Sequence, residues 1–422
     1  MCRCGKIYPV QEKYAMIHLL KNPVQEYAWG SRTAIAELLG NRASEKPQAE
    51  LWMGAHPKAP SMVHWRNEPV SLDRLIEKYP DEILGKAAAL KFRGRLPYLF
   101  KVLAAGQPLS IQAHPDLEQA RKGFAQENRM NIPLNAPKRN YKDDNHKPEC
   151  ICALTDFWAL KGFRDISAIL SLTGWICPEG LRGIRENLKD AHSDSEGLKN
   201  FFQSLMNLNP ERREKVVTEA VSNARLFLDK KTEQEFHPEL KWIIRLHQFY
   251  PSDIGVLAPL FLHLICLKPG QALFLPAGEL HSYLEGTGIE LMANSDNVLR
   301  GGLTPKHVDV PELMKVLRFA PSPVNILLPR KISEYEQIWP SEAEEFALSL
   351  ITVRDGMENA VFQNQSAEIL LCTQGKSEIS ESGSERMLEV GKGMSVLVTA
   401  RKEQYQIRGN AVFCKASVPP IT

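Results

Sequence analysis

The pattern of hydrophobic and polar positions changes twice along this chain of 422 residues. Between about residues 27 and 117, short apolar runs alternate with turn residues, and the run at 99–103 is an example. Short apolar runs between turn residues are typical of strands. The same pattern returns at 256–303 and again at 331–422, with glycine-rich turns. The sequence therefore predicts a mainly β protein that is interrupted in the middle.

Residues 165–250 form the interruption, because their apolar positions recur at helical spacing. Leu198, Phe201 and Leu205 lie three or four residues apart, as the buried face of a helix requires. Asn209 followed by Pro210 predicts a helix start, since asparagine caps free N–H groups and proline tolerates the first helical position. We expect an α-helical domain inserted between β segments.

Similar short strands in the two β units predict two jelly-roll barrels related by weak internal duplication. The expected limits are 17–164 with 251–330 for a discontinuous first β domain, 165–250 for the helical domain, and 331–422 for the second β domain. Residues 1–16 show no clear pattern and are a candidate disordered extension, with Met16 as an alternative start.

Composition excludes several functional classes. The formal net charge is only +2, which argues against a nucleic-acid binder, because such proteins concentrate basic residues on one face. No apolar run reaches the roughly 18–20 residues that a membrane-spanning helix needs. The eight cysteines are mostly isolated in apolar surroundings and do not resemble a disulfide framework. We expect reduced thiols and a cytoplasmic location.

Two short motifs indicate a metal site. Gln112 and His114 are two residues apart on a predicted strand, so their side chains point to the same face. His281 follows a tight corner made by Pro276 and Gly278, which aims its ring across the domain. A third segment, 144–149, brings Lys147 and Glu149 to one face if it is extended. Two histidines, one carboxylate and one amide oxygen suit zinc with an open position for water or substrate.

Seven motifs in this order resemble the type I mannose-6-phosphate isomerases. They lie at residues 27–30, 50–57, 99–103, 108–115, 145–149, 292–300 and 302–306, and the resemblance covers about residues 17–422. The segment 270–281 also resembles the second metal motif of the cupin superfamily, except that Glu285 replaces the usual asparagine.

The resemblance implies a fold, a cofactor and a reaction. It implies two cupin barrels plus a helical domain, and one zinc ion held by Gln112, His114, Glu149 and His281. It implies interconversion of mannose 6-phosphate and fructose 6-phosphate, with Arg300 essential. The partner would be this small phosphorylated sugar, with no nucleic acid or membrane involved.

An aldose–ketose isomerase must move a proton between C2 and C1 through an enediol, so it needs a base and positive charge near those carbons. Glu290 and Asp296 are equal candidates for the proton-transfer carboxylate, and Lys147 is their main rival as acid or base. Arg300 suits either the enediolate or the phosphate, because guanidinium groups bind both in bidentate fashion. The remaining candidate substrate contacts are Lys101, Ser110 and Lys306 through polar groups, and Trp29 and Tyr283 through their rings.

Two other functions stay open at this point, an iron-dependent dioxygenase with two cupin domains and a sugar-binding or storage protein of that fold. The last histidine of the chain is His307, so the second β domain cannot build a histidine-containing metal site. The oligomeric state is also open, with a monomer as one alternative.

Overall fold

Two large antiparallel sheets and a helical insertion make up the protein. The structure is a computed structural model and describes residues 16–66, 68–230, 237–356, 360–400 and 404–421. The predicted extension, apart from Met16, lies outside these residues. Met16 itself is fully buried, and its carbonyl accepts the backbone N–H of Thr399.

The first sheet has ten strands among the described residues, and its central strand is long. They are β2 (Val24–Gln25), β3 (Glu50–Gly54), β6 (Tyr98–Ala105), β7 (Ile111–Ala113), β8 (Glu149–Ala153), β9 (Phe157–Phe163), β10 (Leu262–Leu267), β11 (Ala272–Leu275), β12 (His281–Ala293) and β13 (Leu299–Gly302). The central strand β12 pairs with β7 and β9 in its first part and with β6 and β8 in its second.

A bulge in β12 sets the direction of its side chains. Tyr283 faces Ala159 of β9, but Glu285 faces the next residue, Trp158, so β12 has one extra residue here. An extra residue reverses the alternation of side chains between the two faces of a strand. His281 and Tyr283 before the bulge therefore share a face with Glu290 after it.

The second sheet has eleven strands in the described part of the chain. They are β1 (Ile17–Lys21), β4 (Met62–Trp65), β5 (Glu68–Ser71), β14 (Arg330–Lys331), β15 (Glu336–Trp339), β16 (Ala347–Val353), β17 (Ala360–Gln363), β18 (Glu368–Glu381), β19 (Met387–Gly391), β20 (Ser395–Val398) and β21 (Gln404–Ser417). Strand β1 pairs with β20 and with β4, so residues 331–422 do not form this sheet alone.

Helices occupy the insertion and the connections. They are α1 (Ala34–Leu38), α2 (Leu72–Lys78), α3 (Pro80–Leu84), α4 (Lys86–Lys91), α5 (Leu117–Arg129), α6 (Ile166–Ile176), α7 (Arg182–Lys189), α8 (Asp194–Met206), α9 (Pro210–Asp229), α10 (Pro238–Phe249) and α11 (Val310–Val316), with 3₁₀ turns at Glu179–Leu181 and Ile254–Leu260. Asn209 caps α9 by accepting the backbone N–H of Arg212 at 2.9 Å, as predicted. Within the described ranges, no helix is long and apolar enough to span a membrane.

The insertion packs on the outer face of the first sheet. Phe202 of α8 and Leu246 of α10 belong to one apolar cluster with Leu160 of β9 and Leu284 of β12. Glu285 lies on the same side and forms an ion pair with Arg245 of α10. Glu285, which replaces the usual asparagine, therefore faces the helices and lies on the opposite side of β12 from His281.

The two sheets share one core. Phe100 and Leu291 of the first sheet pack in the same cluster as Trp339 and Phe346, which come from the second sheet and the loop before β16. The prediction of a mainly β protein with a helical insertion is confirmed. The two-barrel detail and the domain limits stay predictions.

Candidate metal centre

Strand pairing brings three predicted site residues side by side. Gln112 of β7 lies opposite His281 of β12 on one side and opposite Arg300 of β13 on the other. Directly opposite residues of an antiparallel pair point to the same face of the sheet. The side chains of Gln112, His281 and Arg300 therefore lie on the same face of the sheet, with Gln112 in the middle.

His114, Glu149 and His281 meet in the interior. Their ligand atoms all lie within 4.8 Å of one another. Nε2 of His114 is 3.2 Å from Oε1 of Glu149, and Nε2 of His281 is 3.4 Å from Oε2 of the same carboxylate. All three side chains are almost completely buried. One ion between them could contact all three.

The other ring nitrogens fix the tautomer of both histidines. Nδ1 of His114 is 2.7 Å from the carbonyl oxygen of Asn297, and Nδ1 of His281 is 3.0 Å from that of Glu279. A carbonyl oxygen only accepts hydrogen bonds, so both Nδ1 atoms carry the proton and each Nε2 keeps a lone pair. This arrangement is the usual support for a metal-binding histidine.

The inner atoms fit a cation. Nε2 of both histidines and Oε1 of Glu149 are buried without a hydrogen-bond partner in the described part of the protein. Such buried polar atoms are costly unless something binds them. Lys147 Nζ lies 2.7 Å from Glu149 Oε1 and forms an ion pair with it, but the angles between the two groups do not make a hydrogen bond.

The protonation states also suit a divalent metal. Burial, together with the nearby Lys147, lowers the pKa of His114 to about 4, so its ring is neutral at pH 7. Burial alone would raise the pKa of the Glu149 carboxyl, but Lys147 and the two imidazoles hold it well below its usual range. Metals need neutral imidazole and ionised carboxylate. Gln112 remains the predicted fourth ligand on the basis of its register.

A second buried network lies next to the cluster. Lys101 Nζ is 2.8 Å from Glu290 Oε2 and 3.6 Å from Glu50 Oε1. Trp52 donates its indole N–H to Glu50 at 2.6 Å. Burial would lower the pKa of Lys101, but Glu290 and Glu50 outweigh it and raise that pKa. Lys101 is therefore a cation already paired with two carboxylates, and its contact with substrate stays a prediction.

Tyr283 connects the two networks. Its hydroxyl donates to Glu149 Oε2 at 3.2 Å and also interacts with Glu290. Its ring is only 2% exposed and packs edge-on against Phe157 at 5.4 Å. The ring is thus covered, so the predicted packing on the sugar would require it to leave this contact.

Asp296 has different partners. Lys58 donates to its Oδ2 at 2.7 Å, and His56 Nε2 lies 3.6 Å from the same atom. The backbone N–H of Lys58 donates to His56 Nδ1, so the His56 proton is on Nε2, toward Asp296. Burial would raise the pKa of the Asp296 carboxyl, but His56 and Lys58 bring it well below its usual range.

Two further cations act on the charge of Lys306. Burial lowers the Lys306 pKa, and so do the charges of Arg300 and Lys142; Arg300 is also the residue opposite Gln112 in the sheet. Burial also lowers the pKa of Arg300, and no ion pair joins any of the three to a carboxylate within the described residues. Unpaired like charges of this kind favour a multiply charged anion.

Two further predicted contacts have simple surroundings. Trp29 is half-buried, packs against the apolar cluster that contains Tyr283, and has its ring 5.8 Å from that of Tyr27. Ser110 immediately precedes β7 and is half-buried. Both stay predictions as substrate contacts.

Sequence reasoning missed Glu50 and Lys142. Glu50 belongs to a recognised motif, and a carboxylate at the start of an apolar strand could have been flagged as a buried charge. Lys142 lies in a polar loop with no distinguishing pattern, and only the fold brings its charge to act on Lys306.

Known proteins resemble the chain over most of its length. Three family profiles match it: "Phosphomannose isomerase type I, catalytic domain" at residues 17–166, "Phosphomannose isomerase type I, helical insertion domain" at 176–262, and "Mannose-6-phosphate isomerase, cupin domain" at 335–417. Mannose-6-phosphate isomerase of Escherichia coli is 40% identical over 398 residues, covering 93% of this chain and 97% of the relative. The human enzyme is 36% identical over 407 residues, covering 90% and 92%.

Solved structures agree with this relationship. A point mutant of phosphomannose isomerase from Salmonella typhimurium superposes with a TM-score of 0.87 at 38% identity, covering 96% of this chain and all of that one. A mannose 6-phosphate isomerase in its zinc-bound form gives a TM-score of 0.86 at the same identity and coverage. Relatives named as isomerases thus match nearly end to end, which makes this protein an enzyme of that class. The chain belongs to the type I phosphomannose isomerase family.

Proposed function

We propose that this protein interconverts mannose 6-phosphate and fructose 6-phosphate with one zinc ion held by Gln112, His114, Glu149 and His281. The observation that carries the proposal is the buried cluster of two imidazoles and one carboxylate, in which both Nε2 atoms and Glu149 Oε1 lack hydrogen bonds. Nitrogen and oxygen ligands without thiolates are typical of a zinc site that keeps a position open. The zinc-bound relative supports this choice of metal.

The cationic group beside the metal cluster supports a phosphorylated substrate. Lys306 and Lys142 are two cations without carboxylate partners in the described structure, and Arg300, which acts on the charge of Lys306, lies opposite the predicted ligand Gln112. We assign Lys306 and Lys142 to the phosphate. Arg300 starts beside Gln112, so its guanidinium is suited to the negative charge that develops near the metal or to the phosphate itself.

Zinc, when bound, would stabilise negative charge on the sugar oxygens as a Lewis acid. Lys147 adds a fixed positive charge on the same side, because its Nζ contacts Glu149. A buried cation of this kind favours an enediolate more strongly than it would in water.

We assign the proton transfer to Glu290 rather than Asp296. The bulge in β12 turns Glu290 to the face of His281 and Tyr283. Burial raises the pKa of the Glu290 carboxyl, although Lys101 opposes this, whereas Asp296 is held ionised by His56 and Lys58. A carboxylate with a raised pKa is the stronger base.

In the proposed reaction, the Glu290 carboxylate removes the proton from C2 of the open-chain aldose, and the electron pair forms the enediolate. Glu290 then returns a proton to C1, while a proton moves between O1 and O2. Lys101 acts through its contact with Glu290, which it holds in place. Lys147 remains the alternative proton-transfer group.

Exchange of the C2 proton with solvent tests this assignment. Glu290→Gln should abolish exchange into mannose 6-phosphate, because an amide cannot accept the proton, while zinc content stays normal. Asp296→Asn is the matched control and should keep exchange. Normal exchange in Glu290→Gln would exclude Glu290 as the base and leave Lys147 as the next candidate.

The finer architecture is also a proposal. We propose two cupin barrels, with domain limits at 17–164 with 251–330, 165–250 and 331–422. The profile matches at 17–166, 176–262 and 335–417 support a division near these positions.

A further inference from the structure

A contact outside the metal cluster joins the active-site segment to the second β unit. His146 Nε2 is 2.6 Å from Oε1 of Glu345. Glu345 lies in the loop before β16, about 200 residues further along the chain. His146 immediately precedes Lys147, whose Nζ contacts the metal ligand Glu149.

The backbone around His146 has few other restraints. On one side, Asn145 is fixed, because its carbonyl accepts hydrogen bonds from Ser295 and Asn297. On the other side, the Pro148 carbonyl accepts the backbone N–H of Ala293 at 3.0 Å. Between them, no hydrogen bond within the described residues holds the backbone of His146 or Lys147. Apart from the ion pair that Lys147 itself forms with Glu149, the His146 side chain is therefore the polar restraint on this stretch.

Glu345 itself is held firmly. Phe346, the next residue, is fully buried in the core that the two sheets share, and Ala343 is buried beside it. The Glu345 side chain is only 12% exposed. Its carboxylate is thus a fixed point that belongs to the second β unit.

We infer that Glu345 is a positioning residue for the active site, and that it acts through His146 to hold Lys147 at the metal cluster. The inference rests on the proposed role of Lys147. Alternation along an extended segment turns His146 away from the face that Lys147 and Glu149 share, so His146 can hold Glu345 while Lys147 points to the cluster. The second β unit would then contribute to catalysis without touching substrate.

Kinetics of Glu345→Ala test the inference. We expect kcat to fall about tenfold, because loss of alignment of one charged group weakens transition-state stabilisation, with KM nearly unchanged. Zinc content should stay at the wild-type level, since Glu149 is held by β8 and β12. Glu345→Gln keeps an acceptor oxygen and should retain most of the activity.

Glu344→Ala is the matched control. Glu344 is the neighbouring residue, and its ion pair with Lys91 at 2.9 Å is largely exposed. It should behave as wild type. In a Lys147→Ala background, adding Glu345→Ala should cause no further loss, because both changes remove one interaction.

Amide hydrogen exchange separates the inference from the proposed reaction. Exchange at the backbone N–H of Ala293, which donates to the Pro148 carbonyl next to this stretch, should rise in Glu345→Ala and stay unchanged in Glu344→Ala, whatever the substrate. Unchanged exchange, a kcat equal to that of the control, or losses that add in the double variant would each overturn the inference. Absence of isomerase activity in the wild type would instead contradict the proposed function.

Discussion

Charged side chains at the site form two groups: in one the charges are paired, and in the other the cations are unpaired. Glu50 and Glu290 both pair with Lys101 in the interior, whereas Arg300 and Lys306 have no carboxylate partners in the described structure. Paired charges hold a site in shape, and unpaired cations are available to a ligand. This difference suggests that the first group orients the reacting end of the sugar and the second group receives the phosphate.

Substitutions of the unpaired cations Lys306 and Arg300 should have different kinetic effects. Lys306→Ala should raise KM for mannose 6-phosphate and weaken inhibition by inorganic phosphate, because it removes a charge from the phosphate site. Arg300→Ala should lower kcat/KM by about 10- to 100-fold, since charged hydrogen bonds contribute about 1.5–3 kcal/mol. Steady-state kinetics with zinc analysis measures both, and Lys138→Ala, an exposed lysine of the same loop as Lys142, is the control. Near-normal turnover of Arg300→Ala with zinc present would remove Arg300 from the mechanism.

The pH dependence should report Glu290. A base acts only when deprotonated, and burial raises the pKa of this carboxyl, so activity should fall as pH decreases through that raised value. The acid limb of kcat/KM should therefore lie above the value of about 4.3 for an ordinary glutamate. Asp296→Asn should leave the limb in place, because His56 and Lys58 keep the pKa of Asp296 far below it.

Zinc must be measured at each pH, since loss of metal would also reduce activity. An acid limb that disappears in Asp296→Asn would reverse the assignment of the two carboxylates.

Sequence alone predicted the residues whose spacing is local. Gln112 and His114 share a face through strand alternation, and the tight corner before His281 directs its ring. The partners of Lys101 were not predictable in this way, because Glu50 and Glu290 lie on β3 and β12, and only sheet pairing brings these strands to β6.

At the level of elements, the bulge in β12 determines which side chains face the site. Without the extra residue, Glu290 would point to the side of Ile289 and Leu291, which pack in the core that the two sheets share, and Glu285 would point to the face of His281. Gly286 follows at once with φ of +124°, and a Cβ there would lie 2.5 Å from the Asp156 carbonyl oxygen. A glycine is thus required where the strand turns beside β9.

The helical insertion should tolerate change without loss of catalysis. Asn209→Ala should lower the free energy of unfolding by about 1 kcal/mol, because it removes the side chain that caps α9. Turnover of the folded enzyme should stay unchanged. Thermal unfolding and kinetics check this, with Asn200→Ala, an exposed position inside α8, as the control. Equal stability of both variants would show that the cap contributes little.

Elements were predictable where their signals are local. The start of α9 followed from Asn209 and Pro210, and strand β6 followed from the apolar run at 99–103. The pairing of β1 in the second sheet was not predictable. Strand β1 pairs with β20 across more than 370 residues, and no local pattern encodes that pairing.

For the whole molecule, the shared core makes the two sheets one body around the site. Trp339 donates its indole N–H to the Gly270 carbonyl, and the Tyr98 hydroxyl donates to carbonyls of Ala367 and Ala416. The metal ligands belong to the first sheet, yet this packing gives the second sheet a fixed place beside residues 143–149.

The proposed reaction requires one zinc ion at His114, Glu149 and His281 for isomerisation of mannose 6-phosphate. The most direct test is to remove metal with a chelator, add zinc in steps, and measure conversion to fructose 6-phosphate. Activity should be absent without metal and rise linearly until one zinc is bound per chain. His281→Ala should bind little zinc and stay inactive, whereas His64→Ala, an exposed histidine on β4, should behave as wild type. Full activity in the metal-free enzyme, or normal zinc binding by His281→Ala, would contradict the account.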